Sequence, residues 1–247
     1  YNQHTNTNPR RGGGGGGLFC FFSNLLFCYF VLPLQKKKNT MRFLSYIIAF
    51  FTHPIWFPIY GAMVVLFNIP FPLPVEQMKF TWLLLLIVTI AIPTLIYLIL
   101  FVIGWLQNPF IIPLEKQKWL LYGYIAMLLG VAFGITPIDP YPILYFYVMN
   151  LAISCFIILF LHFLRLQVNM FAMGMGALTT FSVLLSIAVE KDMTYIVAFF
   201  LFLSGACISA QAYLNQKSLW LMFLSWLIGV LPQLSLLLLF RNLIFAM

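Results

Sequence analysis

The chain has 247 residues, of which 63% are hydrophobic and 7% charged, and its mean hydropathy is +1.01. So few charges cannot cover a water-facing surface, which excludes a soluble globular domain and implies a bilayer. The formal charge of +8 does not signal nucleic-acid binding: Arg10, Arg11, Lys36, Lys37 and Lys38 supply +5, and the rest of the chain sets 8 basic against 5 acidic residues with no basic, aromatic-interleaved face.

Spanning segments must satisfy their own backbone hydrogen bonds, and a helix needs about 20 apolar residues to cross. The apolar runs here are that long and lack the roughly ten-residue alternation of a barrel strand, so the expected fold is all-α, a polytopic transmembrane bundle. The first 40 residues stand apart: a polar opening, six glycines (Gly12–Gly17), then the apolar stretch Leu18–Leu34. They are expected to be a non-native upstream extension with Met41 as the true start; a signal-anchor core flanked by the lysines is the alternative. Residues 41–247 then form a single transmembrane domain of about six or seven spans.

In chain order, Met41–Phe51 predicts a short interfacial helix, followed by a first span from about Pro54 to Asn68. Proline is tolerated in a first helical turn. His53 at that junction reads as a cap and interface residue, since no acidic partner is near it in sequence. The run Phe80–Leu106 is longer than a bilayer needs, so tilt or a kink at Pro93 is expected. Further spans follow at about Trp119–Ile135, Ile143–Leu164, Val168–Val189, Thr194–Leu214 and Leu219–Leu239. The connecting loops alternate in charge, and the loops near 107–118, 163–168 and 213–218 are the basic ones, which predicts that they share one membrane face.

The stretch 208–229, ISAQAYLNQKSLWLMFLSWLIG, resembles the third signature of the type 2 phosphatidic acid phosphatase superfamily. Residues 166–178, LQVNMFAMGMGAL, resemble its second, in the form found in membrane proteins of Bacteroidetes-type bacteria. Ser209, Gln211 and Lys217 stand at the spacing of the family's Ser, Arg and His. Asn169 and Phe171 stand where a Ser and a His precede a Gly-x-Gly helix, here Gly174 to Leu178. The first signature is missing: Lys116 is followed at the Arg-Pro distance by Gly123-Tyr124.

The family implies a histidine nucleophile on phosphorus, an acid that orients it, a second histidine that protonates the leaving oxygen, and cations that neutralise phosphate. Lys217, with an ordinary pKa near 10.4, is an ammonium ion at neutral pH and cannot attack. Leu221 stands in place of the orienting acid, Phe171 has no proton to give, and Gln211 lacks the charged fork of an arginine. The resemblance therefore implies a family member without catalytic residues, whose candidate headgroup-binding residues are Lys118, Arg165, Asn169, Ser209, Gln211 and Lys217. No cofactor or metal is implied, and the expected partners are membrane lipids, in a bacterial inner membrane. An atypical phosphatase using His162 or His53, and a permease-like or scaffolding bundle, stay open.

The other polar residues read as architecture. His162 and Arg165 form an interfacial anchor whose arginine snorkels. Asn150 and Gln233, inside apolar runs, predict interhelical hydrogen bonds, and Gly174 and Gly176 predict close helix contact. Trp105, Trp119 and Trp220 are expected at the interfaces. Cys20, Cys28, Cys155 and Cys207 lie in apolar segments without metal-ligand spacing, as packing residues.

Overall fold

The computed structural model describes residues 38–69, 75–104, 114–166, 168–215 and 218–236. Leu18–Leu34, Cys20, Cys28, Trp105, Lys217 and Arg241 lie outside them. Residues 1–43 and 44–247 form separate units; of the first, Lys38–Phe43 is described, the opening of helix α1 (Lys38–Phe51).

The second unit is built from helices alone among its described residues. After α1 come a 3-10 turn at Pro54–Trp56, α2 (Phe57–Asn68), α3 (Val75–Leu86), a π-turn at Ile87–Ala91 and α4 (Ile92–Val102). Then follow α5 (Leu114–Gly130), a second π-turn (Val131–Ile135), α6 (Pro142–Phe163), α7 (Met170–Ala188), α8 (Thr194–Asn215) and α9 (Leu219–Gln233). Six stretches of the described residues are long and apolar enough to cross a membrane, and α9 is a shorter apolar helix. The chain is thus an integral membrane protein, a helical bundle of six to seven spans.

The first span differs from the expectation. Pro54–Asn68 alone would rise about 22 Å at 1.5 Å per residue, short of a hydrocarbon core of about 30 Å. The stretch that reaches across is Met41–Asn68, 28 residues. The helix breaks inside it because Pro54 holds the preceding His53 in an extended conformation, φ −66° and ψ 139°.

The irregularity expected at Pro93 is a π-turn one step earlier. A proline ring collides with the carbonyl four residues back, here that of Thr89. The wider turn over Ile87–Ala91 makes room, with the amide of Ile92 donating to the carbonyl of Ile87.

The glycines of α7 do what close helix packing requires. A Cβ on Gly176 would meet the backbone carbonyl of Trp226 in α9, and one on Gly229 would meet the backbone of Met173 and Ala177 in α7. The two helices touch backbone to backbone there. Gly174 seats the ring of Phe57, and Gly61 in α2 seats that of Tyr147. Tyr147, fully buried, donates to the carbonyl of Phe57 at 2.9 Å and lies 4.3 Å, centroid to centroid, from Phe181. Helices α2, α6, α7 and α9 are interlocked through these few contacts.

Candidate functional site

The residues that resemble the phosphatase signatures meet at the start of α7. Asn169 caps that helix: its Oδ1 accepts from the amides of Phe171 (2.8 Å) and Ala172 (3.3 Å), two of the donors a helix N-terminus leaves without intrahelical partners. Its Nδ2 donates to Oε1 of Gln211 at 3.1 Å, and its own amide donates to Oγ of Ser225 in α9 at 2.9 Å. Asn215, one turn beyond Gln211, donates to the same Oε1 at 2.7 Å. Gln211 is fully buried and Asn169 nearly so, and Gln211 Nε2 has no partner among the described residues. Three helices thus converge on an uncharged cluster of amides and one hydroxyl.

Beside it, Gln117 at the start of α5 donates to the carbonyl of Val168 at 3.1 Å. The ends of the connections near 107–118, 163–168 and 213–218 therefore come together, as the alternation of loop charge predicts.

The remaining predicted residues stand outside the cluster. Ser209 is exposed and returns its hydroxyl to the carbonyl of Gly205 at 2.9 Å, on the other side of α8 from Gln211. Lys118 is exposed with Nζ 5.7 Å from the centroid of the Trp119 ring, a cation–π arrangement. Arg165 is exposed just past the end of α6 in the left-handed region, φ 61°, a common way to close a helix. Lys217 lies outside the described residues.

Asn215, Ser225 and Gln117 escape a reading by signature because none is a signature position. Asn215 was visible at helical spacing, four residues after Gln211. Ser225 was visible as the lone hydroxyl in an otherwise apolar run.

The interior amides Asn150 and Gln233 each make one hydrogen bond to another segment, while Asn150 Nδ2 and Gln233 Oε1 are buried without a partner among the described residues. Gln233 Nε2 donates to the carbonyl of Tyr147 (3.3 Å) and Ser235 donates to Oδ1 of Asn150 (3.2 Å), joining the α9 end of the chain to α6. Cys155 and Cys207 are free thiols buried in the core. Trp119 and Trp220 are both more than half exposed.

His53 caps, accepting the amide of Ile55 at 3.4 Å, and is buried among protein neighbours. Its ring meets Phe171 and Tyr97 edge-on, with centroids 5.2 and 5.5 Å away. His53 and Tyr97 belong to the wall of a cavity of about 590 Å³ that lies between α3–α4 and α5, with Met170 at the start of α7 also lining it. Among the described residues no Lys, Arg, Asp or Glu lines it. Tyr124, also in the wall, spends its hydroxyl on the carbonyl of Pro54 at 2.7 Å.

No protein-family model, curated protein or solved structure matches the chain.

Proposed function

We propose that this membrane protein is a non-catalytic relative of the type 2 phosphatidic acid phosphatases, resident in a bacterial cytoplasmic membrane, that holds anionic lipid headgroups at the face carrying Lys118, Arg165 and Lys217. The observation that carries this is the 3.1 Å hydrogen bond from Asn169 to Gln211. These two positions, 42 residues apart, resemble members of two different phosphatase signatures, and such signatures serve one site only if they are spatial neighbours. Nothing in the cluster is set to attack phosphorus or protonate a leaving group: Asn169, Gln211 and Asn215 are neutral amides, and Ser225 Oγ accepts from the Asn169 amide and donates to the carbonyl of Leu221, with no base beside it. Asn169 Oδ1 already fills the helix N-terminus that would otherwise attract an anion. The buried Nε2 of Gln211, without a partner among the described residues, keeps two N–H donors for a headgroup oxygen, and the exposed Lys118 and Arg165 supply attraction from the rim.

An atypical phosphatase centred on His53 is disfavoured by its surroundings: a phosphate there would be desolvated in a cavity with no lining cation among the described residues, at a cost of several kcal/mol. A scaffolding bundle without a lipid site draws support from the span Glu76–Val102, only 11% of whose most apolar stretch is buried, leaving a long helical face for a neighbour.

The test uses purified protein in nanodiscs. Phosphatidic acid and isoprenyl pyrophosphate are expected to release no phosphate. Fluorescent phosphatidic acid is expected to bind more tightly than phosphatidylcholine, with a loss of about tenfold on combined replacement of Lys118, Arg165 and Lys217 by alanine. Phosphate turnover abolished by His53→Ala or His162→Ala would overturn the non-catalytic assignment. Unchanged binding in the triple variant would favour the scaffold.

A further inference from the structure

We infer that the cavity between α3–α4 and α5 is a binding site for a single apolar chain of a membrane lipid, with the polar headgroup left outside. Its volume of about 590 Å³ falls in the range of roughly 300–1,000 Å³ typical of small-molecule pockets. The wall is aliphatic and aromatic, drawn mainly from the π-turn and α4 on one side and from Leu120, Gly123, Tyr124 and Met127 of α5 on the other.

Three observations select the occupant. Ile92 and Ile96 line the cavity and are each close to half exposed, so it opens sideways between spanning helices, where bilayer molecules have access. Among the described residues no acidic or basic side chain lines it, so a charged or zwitterionic headgroup entering would be buried without a counter-charge from them. Trp119 belongs to the wall and carries Lys118 over its ring, which sets beside a wall residue a cation that does not line the cavity itself. An apolar void bordering hydrocarbon forgoes dispersion contacts that a chain would restore. The π-turn is the device that opens the gap. It shifts the register of the helix at Ile87–Ala91, and Val88 within it and Ile92 directly after it are both in the wall.

Gly123 supplies the means of testing this. A Cβ added there meets nothing within 4 Å, although the residue lines the cavity. A leucine at this position grows into the space without displacing backbone. Gly130, on the same helix and absent from the wall, is equally open to a side chain and serves as the control.

The experiment is photolabelling in nanodiscs, using phosphatidylcholine and phosphatidic acid that carry a diazirine near the end of one acyl chain, with attachment sites read by mass spectrometry. Ordinary annular lipid reaches exposed residues such as Leu95 and Ile99, whereas His53, Tyr124 and Met170 are at most 8% exposed and are labelled only by a chain that enters. Labelling of these three is expected in the native protein, reduced about tenfold in Gly123→Leu, partly reduced in Gly123→Ala and unchanged in Gly130→Leu. Labelling of Leu95 and Ile99 stays constant throughout and reports that the variants are folded and embedded.

Absence of label on the three buried residues, or label that survives Gly123→Leu undiminished, would overturn the site. The site rests on the cavity alone and not on the headgroup assignment. Equal labelling by the two lipids supports the chain site while removing the anionic preference, and stronger labelling by phosphatidic acid, lost in Lys118→Ala, supports both.

Discussion

Helix α7 and the span Glu76–Val102 are the most and the least buried of the six candidate spans. Some 72% of the most apolar stretch of α7 is buried, against 11% for the other span, yet Glu76–Val102 has the highest mean hydropathy of the six candidate spans. In water the most apolar helix would be the core. In a bilayer lipid tails solvate leucine as well as a protein interior does, so burial goes instead to helices whose small and polar residues gain by meeting one another. Helix α7 has Gly174, Gly176, Ala177, Thr179 and Ser182, all buried. Glu76–Val102 is mostly leucine, isoleucine and valine, with Thr89 its one fully buried polar residue, bonded back to the carbonyl of Leu85 at 2.6 Å. The well-packed region holds the amide cluster, and the loosely packed region holds the cavity.

The contrast breaks most sharply at the glycines. Gly229→Val drives a side chain into the backbone of Met173 and Ala177 and is expected to cost at least about 3 kcal/mol, since backbone must separate. Gly130→Ala, into open space, is expected to be neutral or stabilising by up to about 1 kcal/mol. Unfolding of both in mixed micelles measures the difference, and equal costs would erase the distinction between the regions.

Next in size is Gln211→Leu, which strips the acceptor from Asn169 and Asn215 and leaves a buried amide donor unpaired. It is expected to cost about 1–3 kcal/mol and to speed hydrogen exchange at the amides of Phe171 and Ala172, if the cap loosens with it. Tyr147→Phe removes one hydroxyl bond to Phe57 while the ring stays in place, for about 1 kcal/mol. Leu95→Ala, more than half exposed on the peripheral span, is expected to fall within about 0.5 kcal/mol of the parent.

The smallest effect is electrostatic. Asp192, in the connection before α8, accepts from the amide of Thr194 at 3.0 Å, and hydrogen bonding to Thr194 holds its carboxyl below the ordinary carboxylate range. The contribution is present above that range and is lost as pH falls through the lowered value. Acidification is expected to accelerate exchange of the Thr194 amide in the parent and to leave Asp192→Ala unchanged.

The class of the molecule was legible in composition because a chain with this few charges has one solvent open to it. Span positions followed from run length, and the two interior amides, Asn150 and Gln233, followed from the cost of leaving such groups unpaired among hydrocarbon. The glycines at 174 and 176 announced close packing without naming Phe57 and Trp226 as what they would meet. At the candidate site, the pairing of Asn169 with Gln211 was implied only by a resemblance. The cap made by His53 was legible from its place before Pro54, but its protein neighbours Phe171 and Tyr97 were not, because local chemistry recognises the cap and says nothing of what packs around it.

What the sequence by itself determined is that this chain lives in a bilayer as six to seven helices, since backbone satisfaction and hydrocarbon thickness leave no other arrangement. Tertiary structure alone decided which helices form the interior, that Asn215 and Ser225 complete the amide cluster, and that a cavity lies against α5. Hydropathy cannot rank helices inside a solvent as apolar as they are. That ranking comes from backbone approach and hydrogen-bond geometry, which exist only once the helices are side by side.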